Sequence, residues 1–138
     1  MYLINEVVRL GVDYTLWGNR AYASKAASGQ CKGQSINKVI KSVIDDRALL
    51  IGAGDITNAD KILEASEYVD LLALASLIII DPDTKNKISA GKEKEITLDV
   101  ENRIEDLALP KNFPLIVVAM EGNGSIPQKT LDLLRKMK

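Results

Sequence analysis

The sequence contains no histidine, and that absence excludes more chemistry than any residue present supplies. Without imidazole there is no Ser/His/Asp or Cys/His triad and no common zinc site, which leaves carboxylates, lysine, tyrosine or a cofactor for any reaction. Cysteine is nearly missing too. Cys31 stands alone, so no intrachain disulfide is expected and nothing points to an oxidising compartment. Its neighbours offer one lysine and no base, and it reads as inert. No run reaches the ~18 apolar residues of a membrane span. Met1 to Glu6 lacks the basic-then-apolar order of a signal peptide, so the cytoplasm is the expected address. Neither sign of charge dominates, with 18 Lys and Arg against 19 Asp and Glu. No basic stripe interleaved with aromatics offers itself to nucleic acid, which is not expected as a partner.

What is present is apolar side chain, 46% of 138 residues, enough for one ordinary domain core. The pattern alternates helix and strand. Ile4, Val7, Val8 and Leu10 recur at helical spacing, Gly11 follows where helices commonly stop, and Val12 to Leu16 reads as a strand. Trp17 to Gly33 is too rich in Ala, Ser, Gly and Asn to be regular. Ser35 is placed to cap a helix with Ile36, Val39, Ile40 and Val43 on its apolar side, ending near Asp45 and Asp46. Ala48 to Ile51 and Val69 to Ala75 are continuous apolar runs, as strands covered on both faces require. A helix from behind Thr57 to about Tyr68 separates them. Leu77 to Ile80 reads as an apolar turn or short helix, stopped by Asp81-Pro82-Asp83. Strands separated by helices at this spacing build right-handed βαβ units with parallel pairing, which makes the expected fold class α/β.

Beyond Asp83 the character changes, so the chain divides into βα units over 1–83 and an extension over 84–138. Lys85 to Glu95 reads as a charged loop in which Lys85, Lys87, Lys92 and Lys94 are solvated. Ile96 to Val100 suits a strand or a helix entry, and Glu101, Arg103 and Glu105 a solvated helical turn. Leu115 to Met120 suits helix or strand. Ser125 and Gln128 have capping-box spacing with Pro127 in the first turn, which places a terminal helix over Ile126 to Met137.

The stretch LLIGAGDITNAD, residues 49 to 60, holds the main candidate site. An apolar strand breaks into Gly52, Ala53, Gly54 and Asp55 just before a helix. Bare backbone lets a phosphate approach, but a tight turn uses the same letters. A dinucleotide fingerprint fits poorly, because Gly52-x-Gly54-x-x-Thr57 lacks the third glycine and the acidic residue at the end of the next strand. The alternative uses two strand ends, Ala53-Gly54-Asp55 and Leu74-Ala75-Ser76, both built of small residues. Adjacent parallel strands would set them side by side around an anion. Trp17, Asn19 and Tyr22 follow the first strand, where they face a site mouth or, for Trp17, pack against the next helix. Asp81 and Asp83 flank Pro82 as a turn and helix stop more readily than as a cation site, and no metal is expected. Asp13 and Asp70 open strands and are assigned to stability.

AGDITNADKILEASEYVDLLALASLIIIDPD, Ala53 to Asp83, resembles the closing segment of the NADH-dependent flavin oxidoreductases of the old yellow enzyme family. That family shows an Ala-Gly-Gly or Ala-Gly-Asn turn after strand seven. After strand eight it shows a Gly-Arg pair, an apolar stretch and Asn/Asp-Pro-Asp. LGVDY, Leu10 to Tyr14, resembles the junction that opens strand six. ITLDVENRIEDLALPKNFP and EGNGSIP resemble the C-terminal extension of a low-GC Gram-positive branch.

The resemblance implies a partial (β/α)8 TIM barrel, about its last three βα units, followed by a C-terminal helical extension. It implies FMN as cofactor, with the phosphate on Gly54 and Asp55 after one strand and on Ala75 and Ser76 after the next. NAD(P)H would supply hydride for an activated alkene. Ala75 stands where the family usually has Gly, and Ser76 where it has the phosphate-binding Arg, so the grip loses a bidentate cation. The family's substrate-binding His/Asn or His/His pair, its tyrosine acid and most flavin-ring contacts lie upstream. No catalytic residue is therefore assigned within this chain, and the implied role is an ene-reductase-like part that is inactive alone. The alternative is a non-catalytic α/β fragment with a vestigial phosphate site, active only in assembly. An open three-strand sheet also leaves two edges and an apolar inner face, so a homo-oligomer or association with the missing N-terminal part is expected.

Overall fold

Three short apolar runs pair as strands, and the residues between them supply the helices that cover one side. The computed structural model describes residues 2–18, 21–110, 113 and 126–136. It divides into two compact units, residues 1–56 with 60–73, and residues 57–59 with 74–138.

The first unit runs α1 (Tyr2–Arg9), β1 (Tyr14–Gly18), α2 (Ile36–Ile44), β2 (Leu49–Ala53), α3 (Ala59–Ser66) and β3 (Leu71–Ala73). Its sheet has the order β1-β2-β3, and both pairs are parallel. Gly11 stops α1 at φ +83°, a conformation open to glycine without strain. Ser35 caps α2 by accepting the Lys38 amide at 3.4 Å. Asp45 ends that helix in the left-handed region and donates its amide to the Lys41 carbonyl. β1 starts two residues later than Val12 because Val12 packs against the helix-side cluster, and the Leu49 amide already bonds the Asp13 carbonyl. β3 is shorter than Val69 to Ala75 because the residues just before it serve other contacts. Val69 fills the space beside Gly52, and the Asp70 carboxylate accepts the Leu50 amide at 2.9 Å.

Strand alternation sends Leu50, Gly52 and Leu72 to one face of the sheet. There Leu50 joins Val8, Ile40, Ile44, Ala48 and Val69 in a buried cluster flanked by Ile4, Ile36 and Tyr68. The opposite face carries three level rows, Tyr14 and Leu49, then Leu16, Ile51 and Leu71, then Gly18, Ala53 and Ala73. The first two rows are large and apolar. The last, at the carboxyl ends, is small throughout.

The second unit contains α4 (Ser76–Ile80), α5 (Thr84–Ser89), 3-10 turns at Glu93–Glu95 and Glu105–Leu107, and α6 (Gln128–Arg135). Lys85 to Glu95 is therefore not a plain solvated loop. Asp81 is fully buried, and Lys87 folds in to pair with it at 2.6 Å, which winds the segment into α5. Ile96 to Val100 forms neither strand nor helix. Ile96, Leu98 and Val100 are buried, while the side chains of Thr97 and Asp99 accept the amides two residues on. The terminal helix is shorter than expected and has Pro127 at its cap, with Gln128 bonding Asp132. Ser125 and Leu115 to Met120 lie outside the described residues.

Candidate functional site

The two glycines of the β2 end serve different purposes. A Cβ on Gly52 would lie 2.7 Å from Val69 Cγ1, so this glycine exists to let a core side chain approach. It is taken by packing, not by a ligand. Gly54 follows at φ +112° and Asp55 at φ +55°, so the chain turns off the strand through two positive-φ residues. Asp55 then pairs with Lys61 of α3 at 2.8 Å, both side chains about one third exposed.

A buried residue from the loop after β1 holds this turn. Tyr22 is 4% exposed and donates its amide to the Gly54 carbonyl at 3.0 Å. Its own carbonyl accepts Asn37 Nδ2 of α2 at 2.9 Å, and its hydroxyl donates to Glu64 Oε2 of α3 at 2.6 Å. Burial first, and then the Glu64 carboxylate, push the phenol far above its ordinary range, so it stays a neutral donor. The ring meets Tyr68 edge-on. One residue thus ties the β2 end to two helices. Tyr22 stood out in the sequence as an aromatic within a small-residue loop, whereas nothing distinguished Asn37 from a surface asparagine. Trp17 belongs to β1 and is 38% exposed, so it is not a buried helix contact. Asn19 lies outside the described residues.

Ala75 and Ser76 belong to the second unit, where Ala75 precedes the first turn of α4. No side chain caps that turn, and the serine hydroxyl stands at its first position. Asp81 follows the last residue of α4 and is fully buried, with Lys87 at 2.6 Å and Arg103 at 3.7 Å. It also accepts the Thr97 amide, an arrangement that organises the unit. Asp70 has a comparable role in the sheet. The hydrogen bond from Lys41, and then that from the Leu50 amide, hold its carboxyl below the ordinary range. Among the described residues no cluster of three His, Cys, Asp or Glu is placed to hold a metal ion. A cavity of about 390 Å³ beside Cys31 is lined by Ala26, Ser28, Gln30, Ile36 and Val39 and carries no charged group. No described helix is long and apolar enough to cross a membrane.

No family model matches the chain. It is similar to an uncharacterized oxidoreductase of Streptococcus pyogenes serotype M5, strain Manfredo, with 26% identity over 124 residues. The match takes in 88% of this chain and 31% of that protein, so the chain spans about a third of the length of this curated relative.

Proposed function

We propose that the chain is the C-terminal part of an FMN-dependent NAD(P)H oxidoreductase with ene-reductase-like chemistry. In this reading the three strands are the last staves of a (β/α)8 barrel. The observation that carries it is the level row of Gly18, Ala53 and Ala73 at the carboxyl ends of three parallel strands. Carboxyl ends are where barrels of this kind bind ligands, and a row without bulk leaves room there for a flat ring system. The similarity to a streptococcal oxidoreductase supports the same class of reaction.

The residues present fit a phosphate through backbone more than through charge. Gly54 offers a bare turn, and the start of α4 offers amides that no side chain caps, with the Ser76 hydroxyl beside them. Asp55 would repel an anion, but its charge is offset by Lys61. By the resemblance to the old yellow enzyme family, Gly54, Asp55, Ala75 and Ser76 are the residues that would hold the phosphate. Bound there, the flavin would supply hydride transfer between NAD(P)H and an acceptor. The chain's own part is to bind and orient that group, since none of its residues is assigned a proton-transfer step.

The test is a fluorescence titration of FMN with the purified chain. Saturable quenching supports the reading. Quenching no greater than for a mixture with an unrelated protein would leave an α/β fragment whose activity is assembly.

A further inference from the structure

Between Asp13 and Asp45 the sequence contains no acidic residue, yet it carries Arg20, Lys25, Lys32, Lys38 and Lys41 in a chain whose charges otherwise nearly cancel. Lys25, Lys32 and Lys38 are exposed, and among the described residues none of the three forms an ion pair. Each is the chain neighbour of a residue that lines the cavity of about 390 Å³, namely Ala26, Cys31 and Val39. The cavity is a built feature. An antiparallel bridge between Lys25 and Ser35 closes the loop that supplies part of its lining. The Ala26 amide donates to the Gln34 carbonyl at 2.9 Å, and the Ile36 amide to the Ser24 carbonyl at 2.9 Å. The loop is thereby fixed to the start of α2, whose Ile36 and Val39 give the cavity an apolar side. Ser28 and Gln30 give it a polar one, and among the described residues neither side chain has a hydrogen-bond partner.

Charge around the cavity and none within it constrain the ligand. A bare anion would gain nothing from Ile36 and Val39, and a purely apolar molecule nothing from the lysines. A neutral ring that carries phosphate uses both, and the cavity lies within the ~300–1,000 Å³ range of small-molecule sites. Gln30 narrows the choice of ring. A glutamine side-chain amide matches the donor and acceptor that adenine presents at N6 and N7. We infer that the loop over 25–35 and the first turn of α2 bind an adenosine diphosphate group, with the adenine on Ile36 and Val39 against Gln30 and the phosphates among Lys25, Lys32 and Lys38. The site uses none of the four residues assigned to the flavin phosphate. Nicotinamide dinucleotides and coenzyme A both carry this group. NADH is the carrier on the reading above, and the inference rests on that reading for the carrier alone.

The experiment titrates the full 138-residue chain with ADP, followed by calorimetry and by amide NMR. The expected result is saturable binding at least tenfold tighter than for pyrophosphate or adenosine, with the shifted amides lying within residues 25–39. A Lys32→Glu, Lys38→Glu variant should bind ADP at least tenfold more weakly with circular dichroism unchanged, because both side chains are exposed. Gln30→Ala should keep the fold and remove the preference for ADP over GDP. Pyrophosphate binding as tightly as ADP, shifts confined to other parts of the chain, or no saturation would overturn the inference. Displacement of ADP by NADH supports the carrier, whereas displacement by coenzyme A alone would overturn the carrier and keep the site. No readout involves flavin, so a failed FMN titration would strike the cofactor reading and leave this site standing.

Discussion

The amide of Tyr22 donates to the carbonyl of Gly54 at 3.0 Å, while the Tyr22 carbonyl receives Asn37 Nδ2 at 2.9 Å. A strand end is thus held through the backbone of one residue by a fully buried side chain of α2. Asn37→Leu leaves the Tyr22 carbonyl buried without this donor. The expected loss is ~1–3 kcal/mol of stability. Urea unfolding monitored by circular dichroism measures it, and an unchanged midpoint would mean that the Gly54 turn holds itself.

The pair of Lys87 and Asp81 predicts a larger effect. Asp81 is fully buried, and Lys87 Nζ lies 2.6 Å from one of its oxygens. Lys87→Met removes the closer cation and leaves Arg103 at 3.7 Å as the remaining one. Breaking a buried pair from one side typically costs ~3–5 kcal/mol. Thermal melts should show the second unit loosening, and hydrogen exchange in Thr84–Ser89 should rise.

Gly52→Ala tests packing without changing charge. The new Cβ would meet Val69 Cγ1 at 2.7 Å, inside van der Waals contact and next to the buried cluster. Overpacking of this kind costs ~1–3 kcal/mol. Adding Val69→Ala removes the two closest contacts and leaves only the Cβ at 3.3 Å, so the double variant should be less destabilised than the sum of the two single changes, as a denaturation cycle would show.

Asp70 gives the fold a dependence on acid. Its carboxyl is held below the ordinary value of 3.8 by the Lys41 hydrogen bond and then by the Leu50 amide, against the opposing effect of burial. The folded protein binds this proton less readily than the unfolded chain. The contribution is therefore complete above the ordinary carboxylate value and is lost as pH falls through the lower folded value. Lys41→Met should flatten the fall in stability as pH drops below the ordinary carboxylate value. Denaturant midpoints measured over falling pH decide it.

The helix and strand order of the first unit was legible because its apolar periods are clean and Ser35 and Gly11 punctuate them. Boundaries slipped where tertiary contacts intervened, as with Val12 joining the helix-side cluster and Asp70 serving as an acceptor for Leu50. The second unit is less legible. Lys87 looked like one solvated lysine among four, and only the burial of Asp81 in three dimensions turns it into a structural cation. The site was half legible. Gly52 and Gly54 look equivalent in sequence, yet one makes room for Val69 and the other turns the chain at φ +112°.

The most direct measurement compares FMN with riboflavin, which lacks the phosphate, in titrations of the purified chain and of Ser76→Asp. Aspartate at the first position of α4 suits the helix dipole, so the fold should persist while an anion is repelled. The expected result is that FMN binds the original chain at least tenfold more tightly than riboflavin, and that Ser76→Asp erases the difference. Equal affinity for the two flavins in the original chain, or an FMN preference untouched by Ser76→Asp, would contradict a phosphate seat on these residues.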